Sequence, residues 1–126
     1  MLKTVISTPD APAAIGPYSQ AVAANGFVFC SGQVCLNTEG ELVGGDDVAA
    51  QARQCMDNLG HVLAAAGTSF DKVVKTTIFL TDLANFGVVN EVYGSYFTDA
   101  PPARATVQVS GLPKGVGVEI ECIATR

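Results

Sequence analysis

The chain has 126 residues, of which 48% are hydrophobic and 15% are charged, a composition that indicates one globular domain rather than a disordered chain. Its formal net charge of -5 and pI near 4.5 oppose attraction to phosphates, so a nucleic-acid partner is disfavoured. No apolar run approaches the roughly 20 residues that cross a bilayer, and the first residues lack a secretion signal, so we expect a soluble, cytoplasmic protein.

The first quarter of the chain is predicted to form three strands. A short strand over residues 3–6 precedes the loop TPDAPAAIGPYSQ, whose prolines and glycine exclude helix. The segments SQAVAAN and FVFCSGQV follow, and Asn25-Gly26 between them is the dipeptide that best suits a type I′ turn. We therefore expect these two segments to form a β-hairpin.

The segment VAAQARQCMDNLGHVLAAAG is predicted to be the first helix. Asp46 or Asp47 caps its start, and Gly67 ends it. Its apolar residues recur at a spacing of three or four, which places them on one face that should lie across a sheet. These residues are Val48, Ala52, Met56, Leu59, Leu63 and Ala66.

The second half alternates strands and helices. The β-branched segment DKVVKTTIFLTD is typical of a central strand, after which Asp82 caps a helix over LANFGVVNEVYGSYF. The predicted inward stripe of this helix is Leu83, Phe86, Val89 or Asn90, Tyr93 and Phe97. After Pro101-Pro102, ARATVQVS and VEIECIAT are joined by GLPKGVG, which predicts an antiparallel pair of strands. The order predicts an α+β fold.

The mean hydropathy of +0.33 indicates more apolar side chain than a monomer of this length readily buries, which predicts an oligomer. The four cysteines, at positions 30, 35, 55 and 122, are sparse and fall within the apolar periodicity, so we expect buried free thiols. The single histidine, His61, lies on the first helix and is expected at the surface. Because no spacing collects four zinc ligands, we expect no metal and no cofactor.

Two charged residues stand out in the terminal strands. Alternation puts Arg104 and Thr106 on one side of the penultimate strand, and Glu119 and Glu121 on one side of the last. We therefore expect Arg104 and Glu119 to project from the non-core side of the terminal hairpin. Polar residues on the outer face of an antiparallel sheet are ordinary, so this pattern alone does not indicate a site.

The segment PARATVQVSGLPKGVGVEIE, residues 102–121, resembles the signature of the reactive intermediate deaminase family, the RidA or YjgF proteins. Further blocks are similar in the family's order, so the resemblance spans nearly the whole chain, and we expect residues 1–126 to form one domain of this family. The chain differs from some members at Thr106, where they carry cysteine, and in a shorter loop before Pro101. The further blocks are IGPYSQA (15–21), SGQV (31–34), DVAAQARQCMDNL (47–59), VVKTTIFLTDL (73–83) and VNEVY (89–93).

The resemblance implies a chorismate-mutase-like α+β fold with a mixed six-stranded sheet and two helices packed on one face. It also implies a homotrimer whose sheets line a central barrel, with clefts between subunits. The implied activity is hydrolysis of 2-imino acids, such as 2-iminobutanoate and 2-iminopropanoate, to 2-oxo acids and ammonia. An iminium already carries the activating positive charge, so this reaction needs neither a metal nor a covalent nucleophile.

The resemblance also implies roles for individual residues. Arg104 binds the substrate carboxylate, because the rigid guanidinium fork suits two parallel hydrogen bonds. Glu119 activates the attacking water and passes a proton to the departing ammonia. In a simple terminal hairpin Glu119 faces a position near Gln108, roughly 13 Å from Arg104, so either the register slips or different subunits supply the two groups. Further implied substrate-binding residues are Tyr18, Ser31, Gly32, Asn90 and Thr106.

Two other functions remain open on the sequence. The same arginine cleft could hold a 2-oxo acid or a similar carboxylate in a non-catalytic sensor. RNA cleavage or translational inhibition is attributed to some relatives. An acidic chain with one histidine lacks both the attraction to phosphate and the paired general acid and base that efficient ribonucleases usually have.

Overall fold

The computed structural model describes residues 2–126, which form one mixed six-stranded sheet and two helices. The strand order is β1-β2-β3-β6-β4-β5; β4 and β5 are parallel, and all other neighbours are antiparallel. This confirms the predicted α+β class. The strands are β1 (Thr4–Ile6), β2 (Ala21–Ala24), β3 (Phe27–Gln33), β4 (Val73–Leu80), β5 (Ala103–Gln108) and β6 (Val118–Thr125), and the helices are α1 (Val48–Ala65) and α2 (Phe86–Gly94).

The predicted β2–β3 hairpin is confirmed. Ala24 pairs with Phe27, and the two residues between them have positive φ, 51° at Asn25 and 79° at Gly26. A type I′ turn requires this conformation at both central positions, and Asn and Gly are the residues that adopt it at least cost.

Helix α1 begins and ends as the sequence predicts. The Asp47 carboxylate accepts hydrogen bonds from the N–H groups of Ala49 and Ala50, so Asp47 rather than Asp46 is the cap. Gly67, with φ of +79°, follows the helix. The predicted apolar face is buried from Ala52 to Ala66, and Val48 is partly buried. The helix packs on β3 and β6.

The predicted inward stripe of α2 is only partly correct. Asp82 caps a short 3₁₀ turn, Leu83–Asn85, and α2 starts after it at Phe86. Val89 and Tyr93 are buried, but Leu83 is 45% exposed and Phe86 is 39% exposed. Placing these two in the core was wrong, because the start of α2 lies beside the edge strand β5, where Phe86 contacts Arg104 instead.

The predicted terminal hairpin is wrong. Strands β5 and β6 are not neighbours, because β4 lies between them; Thr76 of β4 pairs with Arg104, and Phe79 of β4 pairs with Glu119. Helix α2 provides the long crossover that parallel strands need, so β5 pairs with β4. The segment after β5 then carries the chain across the end of β4 through the 3₁₀ turn Pro113–Gly115.

The sheet has one face covered by helices and one open face. Inward side chains such as Thr76, Ile78 and Ile120 are 2% exposed or less. Alternation sends their neighbours to the open face, where several large apolar side chains are 40–58% exposed. These are Val5, Phe27, Phe29 and Val107.

All four cysteines are free and buried, and His61 is exposed, as predicted. Within residues 2–126, no helix combines the length and the apolar character required to span a bilayer.

Candidate functional site

Arg104 lies on the helix-facing side of the edge strand β5. Its Nη1 donates a hydrogen bond of 2.6 Å to Oδ1 of Asn90 on α2. Its Cζ lies 5.4 Å from the centre of the Phe86 ring and 5.1 Å from that of Tyr93. The expectation that Arg104 and Glu119 share the non-core side of the sheet is therefore wrong, since Arg104 is in register with the inward-facing Thr76.

Part of the Arg104 fork is free to bind a ligand. Within residues 2–126, only Nη1 of this guanidinium donates a hydrogen bond, which leaves the Nε and Nη2 donors unpaired. Two parallel N–H donors on one edge match the two oxygens of a carboxylate. Arg104 itself is exposed, so a ligand can approach it.

Thr106 follows Arg104 on the same side of β5, in register with Ile78. Its Oγ1 is buried, and it has no hydrogen-bond partner within residues 2–126. Buried hydroxyls are nearly always paired in folded proteins, so Thr106 places an unused hydrogen-bonding group on the same side of β5 as Arg104. We call Arg104, Asn90 and Thr106 the arginine half-site.

Glu119 lies on the opposite, open face of the sheet, in register with Phe79. The register between β3 and β6 shifts between Cys30 and Gln33, which places the backbone of Ser31 and Gly32 beside it. A Cβ atom on Gly32 would overlap Oε2 of Glu119 and lie 2.9 Å from its Cδ. The Glu119 carboxylate therefore occupies space that only glycine at position 32 leaves open.

The environment of Glu119 favours proton transfer. Burial raises the pKa of this half-buried carboxyl, and the neighbouring charge of Glu121 raises it further. A carboxyl group with a raised pKa gains and loses its proton closer to neutral pH, as a general acid–base group must.

A cleft of about 550 Å³ opens beside Glu119. Tyr18, which is 53% exposed, lines it together with Ser31, Gly32 and Lys114. Ser31 donates two hydrogen bonds to backbone carbonyl oxygens before β2. Its Oγ donates to Ser19 at 2.5 Å, and its backbone N donates to Gln20 at 2.9 Å. Ser31 thus fixes the loop that carries Tyr18. We call Glu119, Gly32 and Tyr18 the glutamate half-site.

One chain does not bring the two half-sites together. The arginine half-site faces α2, whereas the glutamate half-site is on the open face, with β4 between β5 and β6. A slip in register cannot correct this, because the two groups differ in face and not only in position along the strands. The predicted site residues therefore fall into two groups that a single protomer keeps apart.

Sequence reasoning missed three residues at these half-sites. Phe86 and Tyr93 contact the Arg104 guanidinium, and Lys114 lines the Glu119 cleft with a φ of 59°. The spacing of residues 86, 90 and 93 places them on one helix face, which could have linked both rings to Asn90. Nothing in the local sequence distinguishes Lys114 from an ordinary loop lysine.

Comparisons with known proteins give a consistent result. The family model described as Endoribonuclease L-PSP matches residues 8–126. The chain is 58% identical to Protein DfrA of Myxococcus xanthus, over 98% of this chain and 96% of that protein. It is 52% identical to the 2-iminobutanoate/2-iminopropanoate deaminase of Mus musculus, over 100% of this chain and 93% of that protein. A crystal structure of YyfA from Yersinia pestis, of the conserved Rid protein family, superimposes with a TM-score of 0.96 at 51% identity, covering 99% of this chain and 100% of that one.

Proposed function

Because the chain belongs to the RidA/YjgF/L-PSP family, we propose that it hydrolyses small 2-imino acids to 2-oxo acids and ammonia. Relatives at 49% to 52% identity are named as deaminases of 2-iminobutanoate and 2-iminopropanoate. The observation that carries the proposal is the pair of complementary half-sites. One offers unpaired guanidinium donors to a carboxylate, and the other offers a carboxyl of raised pKa to a water molecule.

The complete site is proposed to lie between two protomers. Arg104 is on an edge strand and Glu119 is beside β3, so a contact that joins them uses two different surfaces. Repeated contacts between two different surfaces form a closed ring when the rotation between neighbouring subunits returns to the first one. We propose a homotrimer, as the family resemblance implies. The exposed apolar side chains of the open face, including Phe27 and Phe29, support burial of that face by other copies.

In the proposed reaction, Nε and Nη2 of Arg104 bind the carboxylate of the imino acid. The partner subunit's Glu119 removes a proton from a water molecule, whose oxygen attacks the C=N carbon. The resulting tetrahedral intermediate carries a hydroxyl and an amino group on one carbon. Glu119 then gives its proton to this nitrogen, which makes it a leaving group. As the C–N bond breaks and the C=O bond forms, the hydroxyl loses its proton to the Glu119 carboxylate, which passes it to the departing ammonia as ammonium. Fixed positions of substrate and water supply most of the rate gain.

The test uses imines generated in situ by a dehydratase, with release of the 2-oxo acid measured above the spontaneous rate. Arg104→Ala should abolish both turnover and binding of 2-oxobutanoate, because the carboxylate loses its paired donors. Glu119→Gln should abolish turnover and largely spare binding. Unchanged turnover in Glu119→Gln would refute its role as the acid–base group.

The same experiment addresses non-catalytic carboxylate binding, which the arginine half-site alone would support. Wild-type protein that binds 2-oxobutanoate without accelerating imine hydrolysis would favour that sensor function. RNA cleavage is a weaker candidate, because the net charge is -5 and the single histidine, His61, is exposed on α1. Salt-dependent RNA binding by the purified protein would support it.

A further inference from the structure

We propose that Phe86 and Tyr93 are positioning residues that form an aromatic platform for Arg104. The platform fixes the plane of the guanidinium, so that its Nε and Nη2 edge is held ready for a carboxylate. This inference deepens the proposed function, because it explains how the arginine half-site is organised before a ligand arrives. The platform itself is present whatever the ligand is.

Tyr93 is the rigid part of the platform. Its side chain is 4% exposed, and its hydroxyl lies 2.7 Å from Oγ1 of Thr76, which is 2% exposed. Thr76 is in register with Arg104 on the neighbouring strand. Thr76 therefore lies beside Arg104 and also contacts the Tyr93 hydroxyl. The position of the Tyr93 ring is thus fixed by both α2 and the sheet.

Phe86 is the outer part of the platform. It is a large apolar residue that remains 39% exposed, and its ring lies 5.4 Å from the Arg104 Cζ. Phe86, Asn90 and Tyr93 come from one face of α2, and all three contact the same guanidinium. An exposed phenylalanine that adds little to the core is thus explained by its contact with Arg104.

The platform orients the guanidinium without neutralising it. Within residues 2–126, the hydrogen-bond and cation–π partners of the Arg104 guanidinium are an amide and two aromatic rings, all of them uncharged. A carboxylate in their place would pair with the same donors and compete with a carboxylate ligand. Aromatic rings attract the cation through their faces and leave its in-plane N–H donors free.

The effect on binding can be bounded. Each exposed cation–π contact corresponds to about a two- to fivefold effect on affinity. If the whole arginine side chain rotated freely, ligand affinity would fall by up to about thirtyfold, because the rotamer freedom would then be lost only on binding. The platform therefore acts on ligand affinity and KM more than on kcat, which depends on Glu119.

The test compares two substitutions of Phe86. Phe86→Leu keeps an apolar side chain but removes the ring, whereas Phe86→Tyr keeps a ring. Val88→Ala is the matched control, because Val88 is 48% exposed on the same helix and, two residues from both Phe86 and Asn90, lies on a different helix face. Phe86→Leu should raise the Kd for 2-oxobutanoate and the KM for imine by about two- to fivefold, with kcat nearly unchanged. Phe86→Tyr and Val88→Ala should match the wild type.

A second measurement does not depend on catalysis. The chain has three arginines, so ¹⁵N relaxation of their Nε–H groups can be assigned in the ligand-free protein. The Arg104 Nε–H should become more mobile in Phe86→Leu than in the wild type, while those of Arg53 and Arg126 stay the same. Phe86→Tyr, which keeps a ring, should leave the Arg104 signal rigid.

Equal Arg104 mobility and equal Kd in Phe86→Leu and wild type would overturn the platform. If the wild type neither hydrolyses imines nor binds 2-oxobutanoate, the proposed function fails, yet the relaxation comparison still decides whether Phe86 holds the guanidinium. The two failures are therefore distinguishable.

Discussion

Replacing Gly32 by alanine tests whether the exact position of the Glu119 carboxylate matters. The added Cβ would overlap Oε2 and lie 2.9 Å from Cδ and 3.1 Å from Cγ of Glu119, whereas ordinary contacts begin at 3.4 Å. The atoms in conflict are the end of a flexible side chain, so Glu119 moves and the backbone does not. Gly32 does not have a positive φ, so alanine adds no backbone strain there.

The expected result is a fall in kcat with little change in stability. Relieving the overlap moves the carboxylate by about 1 Å, and a displacement of this size costs on the order of 10²-fold in rate. Binding of 2-oxobutanoate should change far less than kcat, because the ligand's carboxylate is bound by Arg104 and not by Glu119. Imine turnover, calorimetric binding and thermal unfolding measure the three quantities.

Gly94→Ala is the matched control, because a Cβ at Gly94 meets nothing within 4 Å and its φ is not positive. It should match the wild type in turnover and binding, and its unfolding temperature should not fall, because alanine is favoured over glycine in a helix. A Gly32→Ala protein with wild-type kcat would refute the reasoning, since the glutamate would then act equally well from a displaced position.

Three further outcomes are expected. Glu121→Gln removes a negative charge that raises the pKa of Glu119. The Glu119 pKa should therefore fall, and the acid limb of the kcat/KM profile should move to lower pH. A limb that does not move would contradict this. Arg104→Lys should weaken 2-oxobutanoate binding by about 10-fold or more, measured by calorimetry, because a single ammonium cannot replace two parallel donors. Met56 is 0% exposed, so Met56→Ala should lower the free energy of unfolding by about 2–5 kcal/mol, measured by urea titration. A smaller loss would mean that the core collapses around the cavity.

Local signals in the sequence predicted the local structure. Asn25-Gly26 specified the β2–β3 turn through its two positive φ angles, and the Asp47 cap and Gly67 bounded α1. Each of these features depends on a few adjacent residues, so their chemistry is readable without knowledge of the rest of the fold.

Pairing between distant strands was not readable in the same way. Alternation separates the two faces of β5 and of β6, but which face meets the core depends on the strand that each one pairs with. Because β4 lies between them, Arg104 faces α2 and Glu119 faces the open side. The short, turn-rich segment between β5 and β6 is compatible with a hairpin and also with a connection that passes the end of β4, so composition could not separate the two topologies.

The surroundings of Arg104 show the same limit. The family resemblance indicates Asn90, whereas periodicity places Phe86 and Tyr93 on an apolar stripe that packs inward. Tyr93 is buried as predicted, yet it also supports the guanidinium. Periodicity identifies the helix face, but it cannot say that a charged group from another strand lies against it.

Subunit complementation tests the central claim most directly, namely that two protomers each supply half of one site. Arg104→Ala and Glu119→Gln proteins, each inactive alone, are unfolded together, refolded as a mixture and assayed for imine hydrolysis. With random assembly in equal amounts, about one quarter of the interfaces join an intact Arg104 to an intact Glu119, so about one quarter of wild-type activity should return. A mixture that stays as inactive as its two components, although the subunits have exchanged, would contradict a shared site.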